Sequence, residues 1–176
     1  MGFTFVSGDP ALDFAGTVQH RRDEFIDLLT TPADLARWTV EAGLLTSAPP
    51  AGTTGFDAAV ELREAIYRLA AGTGTGTDRD LVNRHAAGAP VTVRLTAGGT
   101  VERTGGLDAA LATLARGAVE LLGGPDARDV RECEAGQCTR LYLDTSRRRT
   151  RRWCDMRECG NRAKAAAFRA RHRTAP

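Results

Sequence analysis

The hydrophobic and polar positions of the first 125 residues predict a mainly helical domain. Apolar residues recur at helical spacing in FDAAVELREAIYRLAA, where one helical face would hold Ala59, Leu62, Ile66, Leu69 and Ala70. Capping threonines and terminating glycines bound two more helices, one between Thr31 and Gly43 and one between Thr77 and Gly88. The stretch LDAALATLARGAVELLGG follows as the longest amphipathic segment. We therefore predict a helix in each of these four stretches.

A different period marks the stretch VTVRLTAGGTVERTG. Val91, Val93 and Leu95 alternate with polar residues before a glycine turn, and Val101 begins the return, which is typical of a β-hairpin. FTFV near the N-terminus is a candidate for one more strand, while residues 48–55 and 72–77 read as flexible connections. The glycines before Pro125 end the pattern. We predict an α+β fold: a mainly helical domain with a hairpin over residues 1–125, followed by a small domain over residues 126–176.

Composition narrows the class of protein. Hydrophobic residues make up 42% and charged residues 26%, as in soluble globular proteins. No apolar run approaches the roughly 18 residues of a membrane span, and MGFTFVSGDPALDF does not have the pattern of a secretory leader. We expect a cytoplasmic protein without membrane contact. Arginine outnumbers lysine 23 to 1, which favours a bacterial, GC-rich source.

The first 125 residues contain no recognisable catalytic set, so we do not expect an enzyme. The histidines are isolated, and the glycine-rich stretches lack the lysine of a phosphate-binding loop. The apolar stretch LDFAGT is the one candidate for an effector pocket, and burial in the core is the alternative for it. The pocket residues would be Leu12, Asp13, Phe14 and Thr17.

All four cysteines of the chain lie in the predicted second domain, residues 126–176. Their spacing is C-x4-C-x15-C-x4-C, and two close thiol pairs with room to fold back can supply a tetrahedral structural zinc. We expect one Zn²⁺ per chain. Two disulfides or an iron–sulfur cluster are the alternatives, and a cytoplasmic location argues against disulfides. The predicted zinc ligands are Cys133, Cys138, Cys154 and Cys159.

The order of elements around the cysteines predicts a treble-clef-like zinc finger. A knuckle would form around EAGQ, RLYLDTSRRRTRRWC would fold into a hairpin with a basic tip, and a helix would start near Asn161. We expect Trp153 to cover the zinc core, Asp144 to cap the turn or pair with an arginine, and Arg162 to hydrogen-bond a thiolate or a carbonyl. Asn161 would cap the helix.

These residues resemble a known family. Cys159-Gly160-Asn161-Arg162, together with LYLDTSRRRTRRWC and NRAKAAAFRAR, is similar to the CGNR-type zinc finger over about 40 residues. FVSGDPALDFAGT, LREAIYRL and the hairpin resemble the ABATE domain that usually precedes it, although Ala15 and Gly16 replace the usual Val and Asn. The resemblance implies a stress-induced transcription regulator.

Charge is divided unevenly along the chain. Residues 131–176 carry 13 Arg/Lys and 5 Asp/Glu, while the rest of the chain has a net charge of −6. Such asymmetry is typical of a basic module that meets a polyanion, and arginine matches phosphate geometry. We expect DNA to be the partner. The predicted nucleic-acid-binding residues are Arg147, Arg148, Arg149, Arg151, Arg152, Arg162, Lys164, Arg169 and Arg171.

Other functions remain open from the sequence. RNA could replace DNA, the finger could bind an acidic protein, or its thiols could form a redox switch. A single finger has a small footprint, so a homodimer or a protein partner is expected, and the first domain would sense a small-molecule effector or bind a partner. The opposite net charges of the two parts also predict that they dock on each other by weak electrostatic contacts.

Overall fold

The computed structural model describes residues 2–173 and has an α+β architecture, as predicted. Three antiparallel strand pairs accompany the helices: β1 Val18–Gln19 with β2 Ile26–Asp27, β3 Thr92–Leu95 with β4 Val101–Thr104, and β5 Val130–Glu132 with β6 Leu141–Leu143. The helices are α1 Pro10–Ala15, α2 Pro32–Glu41, α3 Thr53–Ala70, α4 Gly76–Ala86, α5 Leu107–Gly123 and α6 Asn161–Arg173. A 3₁₀ turn spans Pro125–Asp129, and a π-helical turn spans Met156–Gly160. Among the helices in the range 2–173, none has both the length and the apolar character that crossing a membrane requires.

The first five helices pack around one apolar core. Leu62 and Ile66 of α3 are buried against Leu111 of α5, because both helices carry apolar residues at helical spacing. Phe14 of α1 meets Trp38 of α2 with ring centroids 4.9 Å apart. This core confirms the predicted inward face of the 56–71 segment.

Helix starts agree with the sequence at α2 and differ at α4. Thr31 caps α2 and forms a capping box with Asp34, as the sequence predicts. The cap of α4 is Thr75, two residues before the predicted Thr77. Either threonine has an aspartate three residues later, but Asp78 also accepts a 2.5 Å hydrogen bond from Arg68 of α3. That contact with a neighbouring helix selects the earlier start.

The predicted hairpin forms, but its apolar face is uncovered. Leu95 pairs with Val101 in the antiparallel register, and the side chains of Val93, Leu95 and Val101 are 60%, 75% and 51% exposed. Only Val91, at the base of the hairpin, is buried. We call Val93, Leu95 and Val101 the hairpin patch.

FTFV is not a strand. The backbone N–H groups of Val6 and Ser7 donate to the Asp13 carboxylate, at 3.0 and 2.9 Å. Ser7 touches β6 through one bond only, in which the Leu143 N–H donates to its carbonyl at 2.7 Å. The acidic side chain therefore takes donors that a strand would have paired with another strand.

The two parts of the chain share a buried seam. Leu12 of α1, Leu121 of α5 and Leu141 of β6 form one apolar cluster with little exposed surface. At its edge, the Arg21 N–H donates to the Thr139 hydroxyl, and Arg22 pairs with Glu132 at 2.5 Å. The seam thus differs from the weak electrostatic docking that the charges predict, since its centre is apolar.

Candidate metal centre

The four cysteine sulfurs form a compact buried cluster. All of them lie within 4.8 Å of one another, with Cys154 Sγ 3.8 Å from Cys138 Sγ and 3.6 Å from Cys159 Sγ. A tetrahedral zinc with Zn–S bonds of about 2.3 Å places its sulfurs about 3.8 Å apart. The four thiols are free rather than joined in disulfides. Donor type, number and spacing therefore fit one structural zinc ion.

The first ligand pair sits at the tip of a short hairpin. Val130 pairs with Leu143 and Glu132 with Leu141, so the strands on either side of Cys133 and Cys138 run together. The predicted hairpin spans residues 140–154. The observed one, β5 with β6, comes earlier in the chain, because the chain folds back at the knuckle between Cys133 and Cys138.

The last ligand, Cys159, lies in the π-helical turn. The Asp155 side chain accepts a hydrogen bond from the Glu158 N–H at 3.0 Å and so caps the turn that carries Cys159. A Cβ at Gly160 would lie 2.9 Å from the sulfur of Met156, so the flexible Met156 side chain would have to shift to admit a larger residue there. Asn161 does not act as the predicted N-cap. Its side-chain amide donates back to the Arg157 carbonyl at 2.9 Å.

Hydrogen-bond donors of the protein contact the sulfurs directly. The Cys154 N–H donates to Cys133 Sγ at 3.3 Å, and Arg162 Nη2 donates to Cys159 Sγ at 3.8 Å, as predicted for Arg162. Both contacts stabilise negative charge on a coordinated thiolate. Arg162 thus serves the metal centre.

Without a cation the four thiols cannot all ionise. Hydrogen bonds from Cys138 and Cys154 lower the pKa of Cys133, and the hydrogen bond to Cys133 raises the pKa of Cys154. Burial raises the pKa of Cys159 to about 12. Zinc would supply the positive charge that lets four adjacent thiolates coexist.

An aromatic and aliphatic shell covers the centre. Tyr142 is fully buried, and its hydroxyl donates to the Arg151 carbonyl at 2.5 Å. Trp153 packs against the cysteine cluster, which confirms its predicted covering role. Val6 packs there as well. Val6 is not predictable from the sequence as part of this shell, because it lies far from the cysteines in the chain and no local motif marks it.

The basic segment DTSRRRT is a capped loop rather than a hairpin tip. The Asp144 carboxylate accepts hydrogen bonds from the N–H groups of Ser146 and Arg151, at 2.9 and 3.0 Å. Burial alone would raise its pKa, but these bonds and the charge of Arg149 bring the pKa of Asp144 below its usual value. The predicted capping role of Asp144 is confirmed.

Four of the predicted nucleic-acid-binding arginines are engaged within the protein. Arg151 reaches inward and donates to the carbonyls of Trp153, Val6 and Cys154, so it leaves the predicted DNA surface. Arg149 lies 3.5 Å from Asp129, and Arg152 donates to Glu134 at 2.6 Å. Arg162 is the fourth, since it donates to the Cys159 sulfur.

The other predicted nucleic-acid-binding residues lie on the loop and on α6. Within residues 2–173, Arg147, Arg148, Lys164 and Arg169 are exposed and form no ion pair, and Arg171 is exposed on the same helix. These five residues are called the basic surface below.

The residues predicted to line an effector pocket are mostly in the core. Leu12, Phe14 and Thr17 are buried, and the Thr17 hydroxyl donates to the Phe14 carbonyl at 2.7 Å. Asp13 is half-buried and binds the N-terminal segment. Burial raises the pKa of Asp13. A ligand at this place would have to open the core.

A four-thiol centre held by a knuckle, a capped turn and a closing helix defines a zinc-finger protein with a helical domain in front of it. The family model for ABATE, described as "Putative stress-induced transcription regulator", matches residues 8–125. The family model for the CGNR zinc finger matches residues 130–172. The chain therefore belongs to the ABATE family and carries a CGNR zinc finger. No curated protein matches it.

Proposed function

We propose that the zinc-loaded chain is a transcription regulator that binds duplex DNA through the basic surface. The observation that carries the proposal is the exposure of α6. From Asn161 to His172 every side chain is exposed except the half-buried Ala163, and the helix packs chiefly against the π-helical turn. A helix that protrudes in this way is available to enter a groove.

The chemistry of α6 supports the same partner. The helix contains no acidic residue, and small alanines at positions 165–167 let its backbone approach a surface closely. The major groove of B-DNA admits an α-helix, whereas that of A-form RNA is too deep and narrow to be read. DNA is therefore a better partner for this helix than duplex RNA. Arg147 and Arg148 would bind phosphates and fix the orientation of the finger.

The metal would be structural rather than catalytic. Four cysteine ligands fill a tetrahedral zinc completely, which leaves no position for water or substrate. The near-complete burial of the four thiols also disfavours a redox switch, because oxidation follows thiolate exposure. We propose no enzymatic activity.

The hairpin patch supports a second surface, which we propose binds a second copy of the chain. The three large apolar side chains of the patch are exposed side by side. The outer edge of β4 is already paired, because the Thr46 N–H donates to the Arg103 carbonyl and the Arg103 N–H donates to the Thr46 hydroxyl. A dimer would place two fingers on one DNA site and enlarge the small footprint of a single finger.

The salt dependence of DNA affinity tests the main proposal. The double variant Arg147→Ala, Arg148→Ala should bind DNA more weakly. Its slope of log affinity against log salt concentration should be shallower by about 0.9 for each phosphate that it no longer neutralises. Affinity would be measured by fluorescence anisotropy of a labelled duplex between low and moderate salt. Metal analysis would verify that the variant keeps its zinc.

The matched control removes two charges elsewhere. Arg37 lies on α2 and Arg84 on α4 of the first domain, and both are exposed, so their double Ala variant should keep the wild-type slope. An equal loss of slope in both variants would show that net charge alone matters and would refute a site at the loop. Preferential binding of an RNA duplex in competition would favour the alternative partner.

A further inference from the structure

The helical domain contains a cavity that lies apart from the metal centre. It has a volume of about 500 Å³ and lies between the end of α3, α4, α5 and the 3₁₀ turn. Pockets for small organic ligands usually measure about 300–1,000 Å³. The space is therefore of the right size for a small molecule.

The lining of the cavity is apolar with one charged group. Leu69, Val82 and Leu122 supply much of the wall. Arg79 is the only charged residue among the described residues of this wall, and Asn83 lies one helical turn further along the same face of α4. In the described part of the chain, no acidic side chain forms an ion pair with Arg79. An apolar space with one unpaired guanidinium complements an apolar molecule that carries one negative charge.

We propose that this cavity binds a small organic carboxylate, with its apolar body between the helices and its carboxylate on Arg79. Asn83 can donate a second hydrogen bond to the same group. Arg79 offers a planar pair of donors that matches a carboxylate. The site is separate from the metal centre and from the predicted pocket at Leu12–Thr17.

The position of the cavity also links it to the finger, and this part of the inference rests on the proposed function. Ala127 of the 3₁₀ turn lines the cavity. Two residues later, the Asp129 carbonyl accepts the Asp144 N–H at 2.9 Å, and the Asp129 carboxylate lies 3.5 Å from Arg149. A ligand that contacts Ala127 therefore acts on the turn that anchors the basic loop. The ligand can shift the loop only if it binds the protein with different affinity in two arrangements of the loop.

Binding is tested with octanoate, and octan-1-ol of the same chain length serves as the neutral probe. Titration of the zinc-loaded full chain, followed by calorimetry, should show one octanoate site. Arg79→Ala should weaken octanoate about tenfold, the loss expected for a charge-assisted hydrogen bond, and leave octan-1-ol unchanged. Arg79→Lys should retain much of the affinity, and Arg84→Ala on the same helix should retain all of it.

A second variant blocks the space without touching the charge. A Cβ at Gly123, which lines the cavity, meets no heavy atom within 4 Å, so Gly123→Leu adds apolar bulk without a clash at its Cβ. It should weaken octanoate and octan-1-ol alike. Absence of octanoate binding would overturn the site, and equal loss of both probes in Arg79→Ala would overturn the carboxylate assignment.

The link between the cavity and the finger is measured by NMR in the absence of DNA. Octanoate should shift the amide NMR signals of Asp144 and Arg149. Asp129→Asn removes the ion pair to Arg149 but keeps the backbone bond to Asp144, so it should reduce the shift at Arg149 and leave octanoate affinity intact. Binding without any shift in the loop would overturn the link. Because no step uses DNA, failure here is distinguishable from failure of the proposed DNA binding.

Discussion

At the scale of single residues, the same side-chain type serves different ends depending on where its neighbours lie. Arg147 and Arg151 belong to one basic run, yet Arg147 is exposed while Arg151 donates to backbone carbonyls beneath Tyr142. Sequence spacing cannot separate them, because the separation is made by Asp144 capping the loop and by Val6 arriving from the N-terminus. The cysteines were predictable, since four soft ligands in two close pairs define their own site.

The protonation of the thiols predicts how zinc affinity depends on pH. The raised pKa values of Cys154 and Cys159 mean that both are protonated in the metal-free site at neutral pH. Zinc must displace these protons, so its apparent affinity should fall as pH falls, by at least about 100-fold per pH unit if both protons are released. Competition with a zinc-binding dye between pH 6 and 8 would measure this.

The number of protons that the cysteines release on zinc binding can be checked independently. Cys133 is the thiol whose pKa is lowered by its neighbours, so it contributes less to the pH dependence than the other two. Direct measurement of proton release on adding zinc at two buffer strengths would check the same number. Affinity that is independent of pH over this range would mean that the metal-free site is already ionised, against the burial described here.

At the scale of elements, helices were better predicted than strands. The termini of α2 follow from Thr31 and Gly43, since a capping box and a terminating glycine are local features. FTFV and the finger hairpin failed because strand pairing depends on partners distant in sequence. β5 pairs with β6 across the knuckle, and the N–H group of Val6 donates to the Asp13 carboxylate.

The hairpin patch leads to a prediction about self-association. Leu95 is 75% exposed, so Leu95→Glu should cost the monomer little stability and should lower the fraction of dimer. Analytical ultracentrifugation of the zinc-loaded chain over a range of concentrations would measure it. Thr92→Glu is the matched control, because Thr92 lies on the opposite face of the same strand and is also exposed. A wild-type chain that stays monomeric throughout would refute the proposed dimer surface.

At the scale of the whole molecule, the seam joins two parts that the sequence divides. Composition and charge place a boundary at Pro125, and the two family matches meet between residues 125 and 130. Nothing in the local pattern reveals that Leu141 completes a cluster with Leu12 and Leu121, because the three are more than a hundred residues apart at their extremes. Each looks like an ordinary apolar residue of its own element.

The seam predicts that loss of zinc destabilises the helical domain as well as the finger. If Cys154→Ser or a chelator unfolds the finger, Leu12 and Leu121 lose the cover of Leu141 and become partly exposed to water. Their uncovering should cost the helical domain about 2 kcal/mol. At about 2–8 °C per kcal/mol for domains of this size range, its melting temperature should fall by about 4–16 °C. Its helical circular dichroism should largely remain, because the core around Trp38 does not involve the finger.

The two tryptophans make this measurable, because Trp38 lies in the helical core and Trp153 at the metal centre. In a Trp153→Phe background, fluorescence reports the helical domain alone, and its melting temperature should fall when zinc is removed. Leu121→Ala should lower the melting temperature of the zinc-loaded protein and shrink the further drop on zinc removal, since the apolar seam is already weakened. A Trp38 transition that is the same with and without zinc would show that the helical domain is stable by itself. The zinc would then stabilise the finger alone, and the apolar seam would not link the stability of the two parts.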